Sequence, residues 1–225
     1  MTSSASNKIL FNHFNLSILI ITLVLLNSCA PKSYKHLQRI NGNADCIGKF
    51  LPKYERVLYR TTVNVAGNHL SGILLIKEMP DSSTRLVFAN EAGFKFFDFE
   101  FSKTGDFRVY SIIKKMDKKS VRKTLKKDFQ LILMNKPVSY LKQYKFKGKK
   151  EDEVYFAYNE GKDYYYYITN NDCTSFVRLE RGSITKKVTA AFMQFQKDGL
   201  PESIDIQHKN FNFEISLKRI EENAE

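Results

Sequence analysis

The chain has 225 residues, with 36 Lys and Arg against 24 Asp and Glu, a formal charge of +12, and 18 Phe and 12 Tyr but no Trp. That length bounds one medium domain with a real hydrophobic core. The positive excess either keeps the domain soluble or points to an anionic partner: nucleic acid, an acidic protein or lipid headgroups. Export from the cytoplasm would exclude nucleic acid.

The first element bears on export: it reads as a cleaved signal, with an uncleaved membrane anchor as the alternative. "LSILIITLVLLNSC" holds an apolar run from Leu16 to Leu26, preceded by Lys8 and interrupted only by Ser17 and Thr22. As a helix it spans roughly 16 Å at about 1.5 Å per residue, well short of a hydrocarbon core near 30 Å. A short basic start, an apolar run and small Ser28 before Cys29 are the grammar of a cleaved signal.

"LNSC" resembles the bacterial lipobox, and the resemblance implies that Cys29 becomes the lipidated first residue after a signal peptide of residues 1–28. Each buried methylene contributes about 0.8 kcal/mol, so a multiply acylated cysteine holds a domain on its membrane. Loss of Lys8 lowers the net charge to +11. Cys46 and Cys173 remain, and in an oxidising compartment two cysteines can pair; their spacing does not decide whether they do.

Residues 29–50 read as a lipidated cysteine and tether, with a short helix around Tyr34 to Ile40, and 51–225 as one domain. From residue 54 the period changes to segments of Val, Ile, Phe, Tyr and Thr broken by turn signals, the pattern of antiparallel sheet. "GILLIKEMP" is one strand. "FDFEFSKTGDFRVYSII" holds a hairpin around Ser102 to Asp106, "EVYFAYNEGKDYYYYIT" another around Asn159 to Asp163, and "TAAFMQFQKDGLPESIDI" a third turning at Asp198-Gly199. Phe97, Phe99 and Phe101 alternate with Asp98 and Glu100, and Phe211, Phe213, Ile215 and Leu217 with Asn212, Glu214 and Ser216. One face of the sheet is therefore apolar and the other wet. The fold class expected is mostly β: a curved antiparallel sheet of about eleven strands forming an open half-barrel.

One segment breaks the pattern. In "MDKKSVRKTLKKDFQLILMN", Val121, Leu125, Phe129 and Ile132 recur at helical spacing among many lysines. This predicts an amphipathic basic helix over about 118–134, placed to cap the open side of the sheet. In "DYYYYI", Tyr164 and Tyr166 share one face of a strand and Tyr165 and Tyr167 the other. Both faces must then accommodate a ring with a polar tip, as at a cavity wall, an interface or a row of cross-strand pairs.

Motifs for chemistry are missing from the sequence. His36, His69 and His208 stand far apart, and no His or Cys has metal-ligand spacing. There is no nucleophile elbow and no phosphate-binding glycine loop, and Glu151, Asp152 and Glu153 fall in a charged turn. The expectation is a protein that is not an enzyme and carries no cofactor and no metal.

The element order, with a lipidated cysteine, strands, a mid-chain helix and a closing "DGLPESIDIQHKNFNFEISLKRI", resembles the outer-membrane lipoprotein localisation family (LolA/LolB-like) over roughly residues 54–220. The resemblance implies an open half-barrel whose apolar cavity receives the acyl chains of lipoproteins in transit. "RLVFANEAGFKFFDFEF" resembles the strand-loop-strand that carries a protruding loop with a large apolar tip in receptor members. Here the loop offers Glu91, Ala92 and Phe94, and Ala92 stands at the tip in place of a leucine.

These readings give a membrane-anchored periplasmic lipoprotein that binds acyl chains and assists lipoprotein localisation to the outer membrane. The alternative is a non-enzymatic lipoprotein subunit or sensor of an envelope or secretion complex. Ala30, Pro31 and Lys32 include no aspartate resembling an inner-membrane retention mark, which favours the outer membrane. Candidate cavity residues are Leu74, Ile76, Phe97, Phe99, Phe192, Phe213 and Ile215, on alternating strands. Expected partners are lipoprotein acyl chains or phospholipid, the membrane through the anchor, and an acidic soluble carrier protein drawn by the basic surface, with no nucleic acid.

Overall fold

The computed structural model describes residues 34–41, 44–65, 67–146, 153–183, 186–209 and 211–221. Among them one antiparallel sheet of 13 strands accounts for most of the chain. β1 (Leu37–Arg39), β2 (Arg56–Val65), β3 (Asn68–Glu78), β4 (Thr84–Ala89), β5 (Lys95–Phe101) and β6 (Phe107–Ile112) precede the helix α1 (Lys119–Leu133). After it come β7 (Lys142–Phe146), β8 (Glu153–Glu160), β9 (Asp163–Asn170), β10 (Phe176–Ser183), β11 (Lys186–Phe195), β12 (Pro201–His208) and β13 (Phe213–Arg219).

The spatial order is β1-β7-β8-β9-β10-β11-β12-β13-β2-β3-β4-β5-β6, so the sheet is not closed: β1 and β6 are its edges. The chain meanders from β2 out to β6, crosses through α1 to β7, and meanders back until β13 pairs with β2. Curvature follows from what α1 touches. Phe129 packs on Phe97 of β5 with ring centroids 5.5 Å apart, while the same helix also contacts β10 and β11. Those strands lie on opposite sides of the β13–β2 pair, so the sheet must curl around the helix. The expectation of about eleven strands falls short partly because β1 lies in the stretch read as a tether.

Strand alternation decides which side chains face the helix. Tyr59 and Val63 of β2, Leu74 and Ile76 of β3, Phe97, Phe99 and Phe101 of β5, and Phe213, Ile215 and Leu217 of β13 are all buried in one cluster. Leu125, Phe129 and Ile132 complete it from α1, each contributing roughly 1.5–3 kcal/mol by leaving water. Lys118 at the helix N-cap makes no side-chain capping bond, so α1 depends on this packing. At its other end the Tyr54 hydroxyl donates to the Ile132 carbonyl at 3.3 Å, satisfying one of the final unpaired carbonyls.

A second cluster covers the outer face. Tyr34, Tyr155, Ala157, Tyr166 and Ile168 are buried together there. The "DYYYYI" alternation holds: Tyr165 and Tyr167 join the inner cluster and Tyr166 the outer one. Tyr34 stacks on Tyr166 at 4.2 Å and donates its hydroxyl to Glu180 at 2.6 Å.

The described part of the expected tether is thus built into the domain. Tyr34–His36 form a 3-10 turn where a longer helix is expected, and Leu37–Arg39 pair with β7. A second 3-10 stretch, Ala44–Phe50, lies at the far end of the inner face, where Ile47 is buried and Phe50 sits 5.6 Å from Phe176. Cys46 and Cys173 form a disulfide with Cα atoms 6.1 Å apart, tying this stretch to the β9–β10 turn. Cys29, the expected lipidation site, lies outside the described residues.

Candidate functional site: an apolar cavity at the start of the helix

The seven expected cavity residues divide in two. Leu74, Ile76, Phe97, Phe99, Phe213 and Ile215 share the inner face, and all but Phe213 are packed solid: Phe97 stacks on Phe99 at 4.3 Å, and Phe129 is tilted against Phe97 and edge-on to Phe99. Phe192 is on the opposite face and 42 % exposed, which corrects its place in that set. In "TAAFMQF" the inward positions are Thr189, Ala191 and Met193, with small Ala191 facing Leu179 and Ile206 in the ladder. A one-residue change of parity moves every side chain to the other face.

Open space lies elsewhere on the inner face. A cavity of about 530 Å³ opens at the end of the sheet where β2 turns into β3 and β12 into β13. Val65 and Asn68 form one side, Phe211, Asn212 and Phe213 another. Lys115, Met116 and Lys118 before α1, and Ser120, Val121 and Thr124 on its first turns, form the third. Of these, Phe213 alone was among the expected cavity residues. Phe211 is 47 % exposed at the mouth, while Met116 and Phe213 are buried at the back.

Behind Phe213 is a buried polar cluster. His208 lies with its ring centroid 4.9 Å from that of Phe213. Its Nδ1 is 2.8 Å from the Phe213 carbonyl and its Nε2 3.1 Å from Asp128 Oδ1. A carbonyl only accepts, so Nδ1 carries a proton, and the pair must then hold a second proton between Nε2 and the carboxyl. Arg181 places one nitrogen 3.7 Å from Asp128, donates to Thr189 Oγ1 at 2.7 Å, and sits 3.6 Å from Asp163. Lys127 of α1 pairs with the same Asp163. Burial pushes the Asp128 carboxyl above its ordinary range, against the opposing pull of His208 and Arg181. This cluster latches the middle of α1 to β9, β10 and β12, and so fixes the back wall of the cavity.

The expected protruding loop is a compact turn at the same end of the sheet. The Asn90 amide donates to the Phe94 carbonyl at 3.0 Å, and the Phe94 amide to Asn90 Oδ1 at 2.8 Å. Gly93 supplies the positive φ of 82° that this turn needs. Glu91 and Ala92 are exposed at its tip, and Phe94 is 58 % exposed, edge-on to Phe96 at 5.9 Å.

Sequence reading missed Lys115, Met116 and Phe211 as cavity wall and missed the Asp128–His208 pair. Val121 carries a signal in the helical stripe but reads as core, whereas Phe213, in "FNF", is both expected and found on the cavity wall. Among the described residues no group of three or more His, Cys, Asp or Glu gathers where it could hold a metal ion, and no helix is long and apolar enough to cross a membrane.

No family model matches the chain, and no curated protein matches it. Among solved structures it is similar to a DUF1329 family protein from Desulfovibrio piger ATCC 29098, at 11 % identity and a TM-score of 0.43, over 79 % of this chain and 89 % of that one. A likeness at that level identifies neither a family nor a function.

Proposed function

We propose that this protein is a lipid-anchored, non-catalytic acyl-chain-binding protein of the outer membrane, facing the periplasm, that assists the placement of lipoproteins. The observation that carries the reading is the apolar cavity between the first turns of α1 and the β12–β13 loop. Its volume of about 530 Å³ falls within the roughly 300–1,000 Å³ usual for ligand clefts. Val65, Met116, Val121, Phe211 and Phe213 offer the chain apolar contacts, and the polar wall residues Asn68, Lys115, Lys118, Ser120 and Asn212 are solvent-exposed. Acylation at Cys29 would keep the domain at the membrane from which a chain enters.

The test is a titration of the chain from residue 30 onward, which retains every strand, the helix and the disulfide, with a triacylated lipopeptide. Its unacylated twin is the control. Saturable binding of the acylated form alone supports the reading, and no binding by a domain of unchanged circular dichroism removes it.

A second reading has its own observation. The inner face beyond the cavity is filled by Phe97, Phe99 and Phe129, and the outer face carries the tyrosine cluster around Tyr166. Such a domain suits a lipoprotein subunit of an envelope complex, which would bind no lipopeptide and would instead co-purify at defined stoichiometry with a protein partner.

A further inference from the structure

We infer that the cavity at the start of α1 takes a single-chain amphiphile with an anionic head, a long-chain fatty acid, its carboxylate held at the mouth by Lys115 and Lys118. The inference rests on the acyl-binding reading above and names the ligand class. Two observations carry it.

The first is shape. The space is a single cleft of about 530 Å³, and the inner face around it is closed by packed rings. It accommodates one chain, so a triacylated lipoprotein could seat a single acyl chain here with its others left outside the cleft.

The second is charge. Residues 114–123 carry Lys114, Lys115, Lys118, Lys119, Arg122 and Lys123 against one acid, Asp117. Asp117 is held by Arg122 at 3.2 Å. Lys115 and Lys118, which line the cavity, make no ion pair with a carboxylate among the described residues. Two ammonium groups at the rim of an apolar hole match a carboxylate at the end of an apolar chain. Lysine serves well here, since its aliphatic stem lies along apolar surface while its charge stays in water. Exposed ion pairs are individually weak and screened by salt, so the head tunes affinity and the chain supplies most of it.

The experiment uses the mature, membrane-anchored protein in nanodiscs of zwitterionic phosphatidylcholine and a palmitate bearing a photoactivatable group in its chain. Adducts are mapped by mass spectrometry, and palmitate, monopalmitoylglycerol, palmitoyl-lysophosphatidylglycerol and a triacylated lipopeptide compete for labelling. The inference expects adducts on peptides containing Met116, Val121 and Phe213, and palmitate competing about tenfold better than the neutral glyceride at low salt. Lys115→Gln with Lys118→Gln should remove that advantage and leave competition by the glyceride unchanged.

Equal competition by palmitate and the glyceride would overturn the anionic-head inference while leaving acyl binding intact. Stronger competition by the lysophospholipid than by palmitate would overturn the fatty-acid assignment in favour of a phosphate head. Labelling that is absent from the cavity, with lipopeptide binding retained, would overturn the site itself. Loss of competition by every lipid would remove the acyl-binding reading as well.

Discussion

The carboxylate of Asp128, on the helix, and the imidazole of His208, at the end of β12, meet 3.1 Å apart with both side chains fully buried. His208 has its other nitrogen on the Phe213 carbonyl, so a single ring joins α1 to the strand that forms the back of the cavity. Residues 80 apart in sequence are thereby made one unit.

Breaking that unit should cost more than its hydrogen bond. Asp128→Ala leaves Arg181 and His208 buried beside an empty site, and loss of one partner of a buried charged pair costs about 3–5 kcal/mol. Urea denaturation of the variant should show a lower midpoint by a corresponding amount. A change below 1 kcal/mol would mean that water replaces the carboxylate.

The same residue sets a pH dependence. Burial raises the Asp128 carboxyl above 3.8, so the folded state binds its proton more tightly than the unfolded state does. Its contribution to stability is complete below that ordinary value and declines as pH rises through the raised one. Asp128→Asn cannot titrate. Its melting temperature relative to the parent should therefore climb from about pH 4 toward neutrality, and a pH-independent difference would contradict the assignment.

The disulfide should stabilise the N-terminal stretch as well as the whole fold. Cys46 and Cys173 are 127 residues apart, a loop length for which loss of a native bridge costs about 2–5 kcal/mol. Reduction should lower the melting temperature and expose the amides of residues 44–51 first, as read by hydrogen exchange.

Tyr34 fastens the outer face. Tyr34→Ala removes the stack on Tyr166 and the bond to Glu180, and protection of the Leu37–Arg39 amides should fall by about a hundredfold. Unchanged protection there would show that β1 is held by its pairing with β7 alone.

Gly72 marks where β3 and β4 approach too closely for a side chain. A Cβ there would lie 2.1 Å from the Ala89 carbonyl oxygen. Gly72→Ala should destabilise by about 1–3 kcal/mol in thermal melts, since backbone must shift to admit it.

Much of this architecture was legible locally. The hairpins around Ser102 to Asp106 and Asn159 to Asp163, the two faces of "DYYYYI" and the helix near 118–134 each rest on alternation or turn chemistry within a few residues. The parity of Phe192 is not legible in "TAAFMQF", which places apolar residues on both faces, and only the ladder to β10 and β12 fixes it. β1 is three residues long and too short to show a period. The cavity wall and the Asp128–His208 latch are assembled from α1, β12 and β13, and no local pattern brings those segments together.

The most direct test of the acyl-binding claim is the affinity for a triacylated lipopeptide of the parent chain and of Val121→Trp. Val121 is half-buried on the cavity wall, so an indole there occupies the space proposed for the chain without opening the core. Affinity should fall by about tenfold or more, equivalent to 1.4 kcal/mol, with an unchanged melting temperature. Equal affinity in both proteins would contradict the claim and move the lipid elsewhere on the sheet.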